Sequence, residues 1–202
     1  MRTSQCLACQ DFSCSDVRHE CYLLPDIDLN PETISIFMIS ECAPPCGADY
    51  FYAGPQALFE RTTLEVFNDA WQPVRSMQEI LEMGVYLTTA VKCAKTGSGV
   101  HTSTIQHCSV LIEQELALFP NLKAILLMGD VAIKALNEIA KRSGQPRVIP
   151  AIPTYKLRGQ EFYYQGKRVF PSYLQVGPNF FIEKGKHKII AQDIEAALRL
   201  LE

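Results

Sequence analysis

The chain has 202 residues, 48% of them hydrophobic, with a formal net charge of −3 and a pI near 5.8. That length and apolar content suit one domain of ordinary size with a substantial core. The charge excludes a globally basic surface, so any nucleic-acid contact must come from a local patch.

The N-terminus, MRTSQCLACQDF, has no apolar stretch of the signal-peptide kind. No apolar run reaches the roughly 18 residues of a membrane span. Both point to a cytoplasmic protein, where disulfides are rare. The eight cysteines, Cys6, Cys9, Cys14, Cys21, Cys42, Cys46, Cys93 and Cys108, therefore need another reading.

Residues 1–33 form a polar, Cys-rich segment with little periodicity. TISIFMIS (33–40) is short, apolar and β-branched, and reads as a buried strand. The loop 41–55 follows, punctuated by Pro44, Pro45, Gly47, Gly54 and Pro55. Leu58, Phe59, Leu64 and Phe67 fall at helical spacing within 56–71. A short helix over 76–84 ends at Gly84. Strand 85–91, an amphipathic helix over 103–119, strand 123–129 and helix 130–144 come next. The stretch 161–174 reads as a hairpin turning at Gln165-Gly166, and 186–202 as a closing helix.

Strands alternating with helices predict an α/β fold in three layers, α/β/α, around a mostly parallel sheet of about four strands, as a single domain over 1–202. In such sheets ligands sit at the carboxyl ends of the strands. The loops 41–55, 92–102 and 174–185 leave that edge.

Cys6 and Cys9 form a CxxC pair, which has three ordinary cytosolic readings: redox-active, zinc-binding, or ligating an iron–sulfur cluster. The redox reading wants a strand–helix junction, and the zinc-ribbon reading a second close CxxC. Cys93 and Cys108 are instead separated by a loop and a helical turn. A cluster accepts that spacing, because each iron takes one thiolate.

Thr88-Thr89-Ala90-Val91-Lys92-Cys93, the later Cys108, the N-terminal CxxC and LLMGDVAIKAL (126–136) together resemble the uracil-DNA glycosylase superfamily, specifically its iron–sulfur branch, family 4. The resemblance covers most of the chain from about residue 33 onward. It implies a 4Fe–4S cluster on Cys6, Cys9, Cys93 and Cys108, with Cys14 and Cys21 competing for the N-terminal ligand positions. Zinc is the alternative metal. The cluster would be structural, holding a surface that meets DNA.

The resemblance also implies an active site. Ser40-Glu41-Cys42-Ala43-Pro44-Pro45 stands where the family's first acidic motif follows the first strand. Glu41 matches its acid, and Asp49 is a second acid in the same loop. Cleaving an N-glycosidic bond passes through an oxocarbenium-like species, where a carboxylate orients water or stabilises the cationic sugar. A flipped base is read by stacking and hydrogen bonds. Phe51 or Tyr52 is the expected stacking ring, and Thr89 stands where the family places the Asn that reads the uracil edge. The family's late His falls on Leu174, or on Phe170 in the other register, so its electrophile is missing.

Glu183-Lys184-Gly185-Lys186-His187-Lys188 follows, where the family inserts a loop into DNA. Lys184, Lys186 and Lys188 can neutralise phosphates, with Lys92 and Lys95 extending the stripe. His101 and His107 flank the cysteine helix and read as surface residues. The expected activity is a DNA glycosylase on uracil or a related deaminated base, acting as a monomer with DNA as partner. The alternatives are a non-catalytic iron–sulfur nucleic-acid binder on the same fold, and a zinc-stabilised α/β protein of other function.

Overall fold

A computed structural model describes residues 1–201. Five strands make the central sheet: β1 (Ile36–Cys42), β2 (Val85–Val91), β3 (Ala124–Met128), β4 (Phe162–Tyr164) and β5 (Lys167–Ser172). Their order is β2-β1-β3-β5-β4. The pairs β1–β2, β1–β3 and β3–β5 are parallel, and only the β4–β5 hairpin is antiparallel. The sheet thus has five strands rather than about four, because both arms of the hairpin join it. Gln165 (φ 48°) and Gly166 (φ 78°) both adopt left-handed backbone at the turn. That geometry matches the twist of the flanking strands.

Strands β2 and β3 are buried along their whole length, and β1 at every position except Glu41. Their near-continuous apolar runs are what a sheet covered on both faces requires. β1 starts at Ile36, later than the apolar run, because Pro31–Thr33 forms a 3₁₀ turn whose Asn30 side chain accepts the Glu32 N–H. It then runs on to Cys42, so Glu41 stands on the strand's carboxyl end rather than in the loop.

The longer helices are α1 (Leu58–Asp69), α2 (Met77–Glu82), α3 (Thr102–Ala117), α4 (Asp130–Arg142) and α5 (Lys184–Leu198), beside single turns at Thr3–Cys6 and Thr154–Leu157. On one face of the sheet, Ile105 and Ile112 of α3 and Leu136 and Ile139 of α4 pack with Phe37, Ile39 and Tyr86. On the other, Phe67 of α1, Ile80 of α2 and Ile190 and Ile194 of α5 pack with Met38, Leu87 and Leu126. Phe37, Met38 and Ile39 go to alternate faces, as the pleat dictates. The chain is therefore an α/β fold with helices on both sides of a mostly parallel sheet.

Two termini differ from the sequence pattern. Ser76 caps α2, its hydroxyl accepting the Glu79 N–H at 3.3 Å, so that helix is only one and a half turns long. The closing helix begins at Lys184, so the lysine run lies inside its first turns rather than before them. The end of the expected helix, Glu202, lies outside the described residues. Among the described residues, no helix is long and apolar enough to cross a membrane.

Candidate functional site

The carboxyl edge of the sheet holds a cavity of about 310 Å³. Glu41, Cys42, Ala43, Pro44 and Pro45 come from β1 and its loop, Phe59 from α1, Lys95 and Gly97 from the loop after β2, and Leu174, Val176 and Gly177 from the segment after β5. All three edge loops read from the sequence contribute. The volume suits one small organic group, and the lining is apolar with few polar atoms, as in ordinary ligand pockets.

Glu41 is held in place by the start of α4. Its Oε1 accepts the Asp130 N–H at 3.1 Å, where the helix dipole favours negative charge. The approach needs Gly129, whose φ of 102° and ψ of 171° only glycine adopts readily. A Cβ on Gly129 would lie 2.7 Å from that same Oε1. Cys42 beside it is pushed up to about 12, first by burial and then by the Glu41 charge, so it presents a neutral thiol.

Several expected site residues lie elsewhere. Asp49 does not line the cavity; its Oδ1 accepts the Leu58 N–H at 3.3 Å and closes the start of α1. Phe51 is 0% exposed and belongs to the core, wedged against Phe59 and Tyr50. Tyr52 is tied to the edge of β2, its hydroxyl accepting the Leu87 N–H at 3.0 Å and donating to the Leu87 carbonyl at 3.1 Å. The aromatic ring that does line the cavity is Phe59, which its helical spacing marked only as core. Thr89 is fully buried, its hydroxyl lacks a protein partner, and it stands off the cavity. Leu174 lines it, a side chain with no proton to offer.

The lysine run splits. Lys186 pairs with Glu183 at 2.6 Å and lies over the Tyr173 ring. Lys184 and Lys188 are exposed and line a separate, open groove of about 620 Å³ between α1 and α5, shared with Glu65, Asp69 and Trp71. Just before them stands an apolar tip, Phe181 and Ile182, the latter 79% exposed. Lys95 is exposed beside the carboxyl-edge cavity, but Lys92 is fully buried against Glu115 and belongs to no surface stripe.

A second, narrow cavity gathers thiols. Cys9, Cys14, Cys93 and Cys108 line it together with Phe12, Val17, Tyr22, His107 and Lys92. Cys6 and Cys21 do not: Cys6 is exposed and bonded to the Arg2 carbonyl, and Cys21 donates to the Pro45 carbonyl. The N-terminal member beside Cys9 is therefore Cys14 rather than Cys6. His107, expected at the surface, approaches Cys9 Sγ with its Nε2 at 3.7 Å, whereas His101 stays exposed. Burial pushes the Cys93 thiol up to about 12 and Cys108 up to about 11. Neighbouring thiols add to both, and the Lys92 N–H opposes the rise at Cys108.

The thiol-bearing strap is fastened by Asp16. Its carboxylate accepts the His101 N–H at 2.6 Å and the Thr104 hydroxyl, which caps α3 across the chain. Val17 and Arg18 pair antiparallel with Lys95 and Ala94, and the Leu23 N–H donates to the Lys92 carbonyl at 2.7 Å.

Among the described residues, no three His, Cys, Asp or Glu side chains converge as a single metal ion needs. The four thiols instead surround a cavity whose free space is only about 10 Å³. Four thiols are the donor set that a 4Fe–4S cluster would use, one at each iron, or that a zinc ion would gather at one point. No protein-family model matches this chain, and no curated protein matches it.

Proposed function

We propose that this chain is a DNA glycosylase on a uracil-DNA glycosylase-like fold, hydrolysing the N-glycosidic bond of uracil or a related deaminated base. The observation that carries the reading is Glu41: a carboxylate fixed by a helix N-terminus in a mostly apolar, base-sized cavity at the carboxyl edge of a parallel sheet. Oε1 is anchored, which leaves Oε2 to orient water toward the sugar carbon or to face the cationic sugar as the bond to the base breaks. The flipped base stacks on Phe59, beneath the Pro44-Pro45 lip.

The departing base leaves with the bonding electron pair. Leu174 cannot stabilise it. Among the described residues that line the cavity, Lys95 alone carries a positive charge, and its ammonium takes that role. An ammonium on an exposed loop is a weaker electrophile than a buried donor, whose loss elsewhere costs about 10²–10³ in rate. A slow enzyme is expected. Ile182 and Phe181 form an apolar wedge for the base stack, with Lys184 and Lys188 on phosphates. Cys9, Cys14, Cys93 and Cys108 hold the iron–sulfur cluster, which supplies a structural clamp between the N-terminal strap and the loop after β2. DNA is the partner, and the cytoplasm the expected place.

Leu174 in the cavity also favours a second reading, a binder that kept the pocket without catalysis. Anaerobically purified protein incubated with single- and double-stranded oligonucleotides containing uracil, hypoxanthine or xanthine separates the two. Abasic sites that form with the wild type and not with Glu41→Ala support the glycosylase. Tight binding without abasic sites on any of the substrates supports the binder.

A further inference from the structure

Beside the thiols lies a buried ion pair that the glycosidic chemistry does not use. Lys92 and Glu115 are both fully shielded from solvent. The Lys92 ammonium donates to Glu115 Oε2 and, at 2.6 Å, to the Thr88 hydroxyl. Glu115 Oε1 accepts from the Tyr86 hydroxyl at 2.7 Å and from Thr88 at 3.0 Å. Every polar group of the quartet has a partner, so both charges are locked in place.

Stability does not explain such a pair. Desolvating each ion costs several kcal/mol, and a well-packed apolar substitute is often neutral or better. Its location is more informative. Lys92 precedes Cys93 and lines the thiol cavity, while Glu115 does not. Glu115 lies seven residues after Cys108 on α3, two turns along the same helix face. Of the two charged residues, then, it is Lys92 that reaches the thiol cavity.

We propose that Lys92, positioned by Glu115, is the charge partner of the thiolate-bound cluster and sets its reduction potential, a role that rests on the cluster reading above. A cube held by four thiolates is net negative and becomes more so when it takes one electron from an external donor. No bond is made or broken in that step, and no proton moves. A fixed ammonium in a low-dielectric interior stabilises the more negative state.

The test is an anaerobic optical redox titration, with dithionite as reductant, alongside iron and sulfide content. Lys92→Met combined with Glu115→Gln removes both charges while leaving Tyr86 and Thr88 an acceptor, so the fold is kept. Its potential is expected to move to more negative values at unchanged iron content. A loaded double variant with the wild-type potential overturns the proposal and leaves the cluster reading standing. Wild-type protein that purifies without iron and sulfide refutes the cluster reading and the proposal with it. If the double variant folds but loses iron, Lys92→Arg decides: iron retained there supports a role for the charge, and iron lost there overturns it in favour of packing.

Discussion

Gly129→Ala is the perturbation that best isolates the anchoring of Glu41. The glycine sits at φ 102° and ψ 171°, a region essentially closed to other residues. Forcing alanine there costs about 1–3 kcal/mol. The new Cβ would also lie 2.7 Å from Glu41 Oε1 and 2.9 Å from its Cγ. A carboxylate at the end of a flexible side chain can swing away, so that clash adds little to the stability loss. It does break the 3.1 Å hydrogen bond from the Asp130 N–H and withdraw the carboxylate from its place in the cavity. The expected melting shift is about 4–8 °C for a loss of ~2 kcal/mol in a chain of this size. Base-release activity is expected to fall nearly as far as in Glu41→Ala, although Glu41 itself is unchanged. Thermal denaturation and an abasic-site assay on the folded variant read the two effects separately. A folded Gly129→Ala protein with wild-type activity, beside an inactive Glu41→Ala, would refute the claim that this anchor positions the carboxylate.

Cys14→Ser is expected to lose iron and the visible absorption of the cluster, whereas Cys6→Ser keeps both; the opposite pattern would restore Cys6 as the ligand. Removing Lys184 and Lys188 together should weaken binding to single-stranded DNA evenly across sequences and flatten the log–log salt dependence by roughly 1.4, two phosphates' worth; an unchanged slope would take both lysines out of the interface. Asp193, which accepts from Ser172 and Arg158, is held above its usual 3.8 by burial, against the pull of those two partners. The native state therefore binds more protons than the unfolded chain just above pH 3.8, and stability should decline as pH rises through that window. Denaturant unfolding as a function of pH should show this slope in the wild type and a smaller one in Asp193→Asn, and equal slopes would remove Asp193 as the cause.

Much of the architecture was legible because the signals were local. The short, apolar runs at 33–40, 85–91 and 123–129 read as strands covered on both faces, and Gln165-Gly166 marked its hairpin. Glu41 was singled out by the resemblance to the family's first acidic motif, and the fold places it at the carboxyl end of β1. What was not legible depended on contacts distant in sequence. Lys92 looked like part of a basic stripe, yet Glu115, 23 positions away, takes it into the core. Phe51 and Tyr52 sat in the right loop, but that loop folds back onto β2 and α1, and it is Phe59 that reaches the cavity. Asp49 was read as an acid for catalysis when its neighbour in space is an uncapped helix start. Cys6 and Cys14 could not be ranked from spacing, because the aperiodic strap takes its shape from Asp16 and the loop it fastens to.

The most direct test of the central claim is single-turnover release of free uracil from a uracil-containing single-stranded oligonucleotide, measured for wild type and Glu41→Gln. The substitution keeps the side chain's shape and removes its charge. Slow but stoichiometric release by the wild type, reduced about 10²–10⁴-fold in the variant, is the predicted result. Equal release by the two proteins, or none from wild type that binds the oligonucleotide with its iron in place, would contradict it.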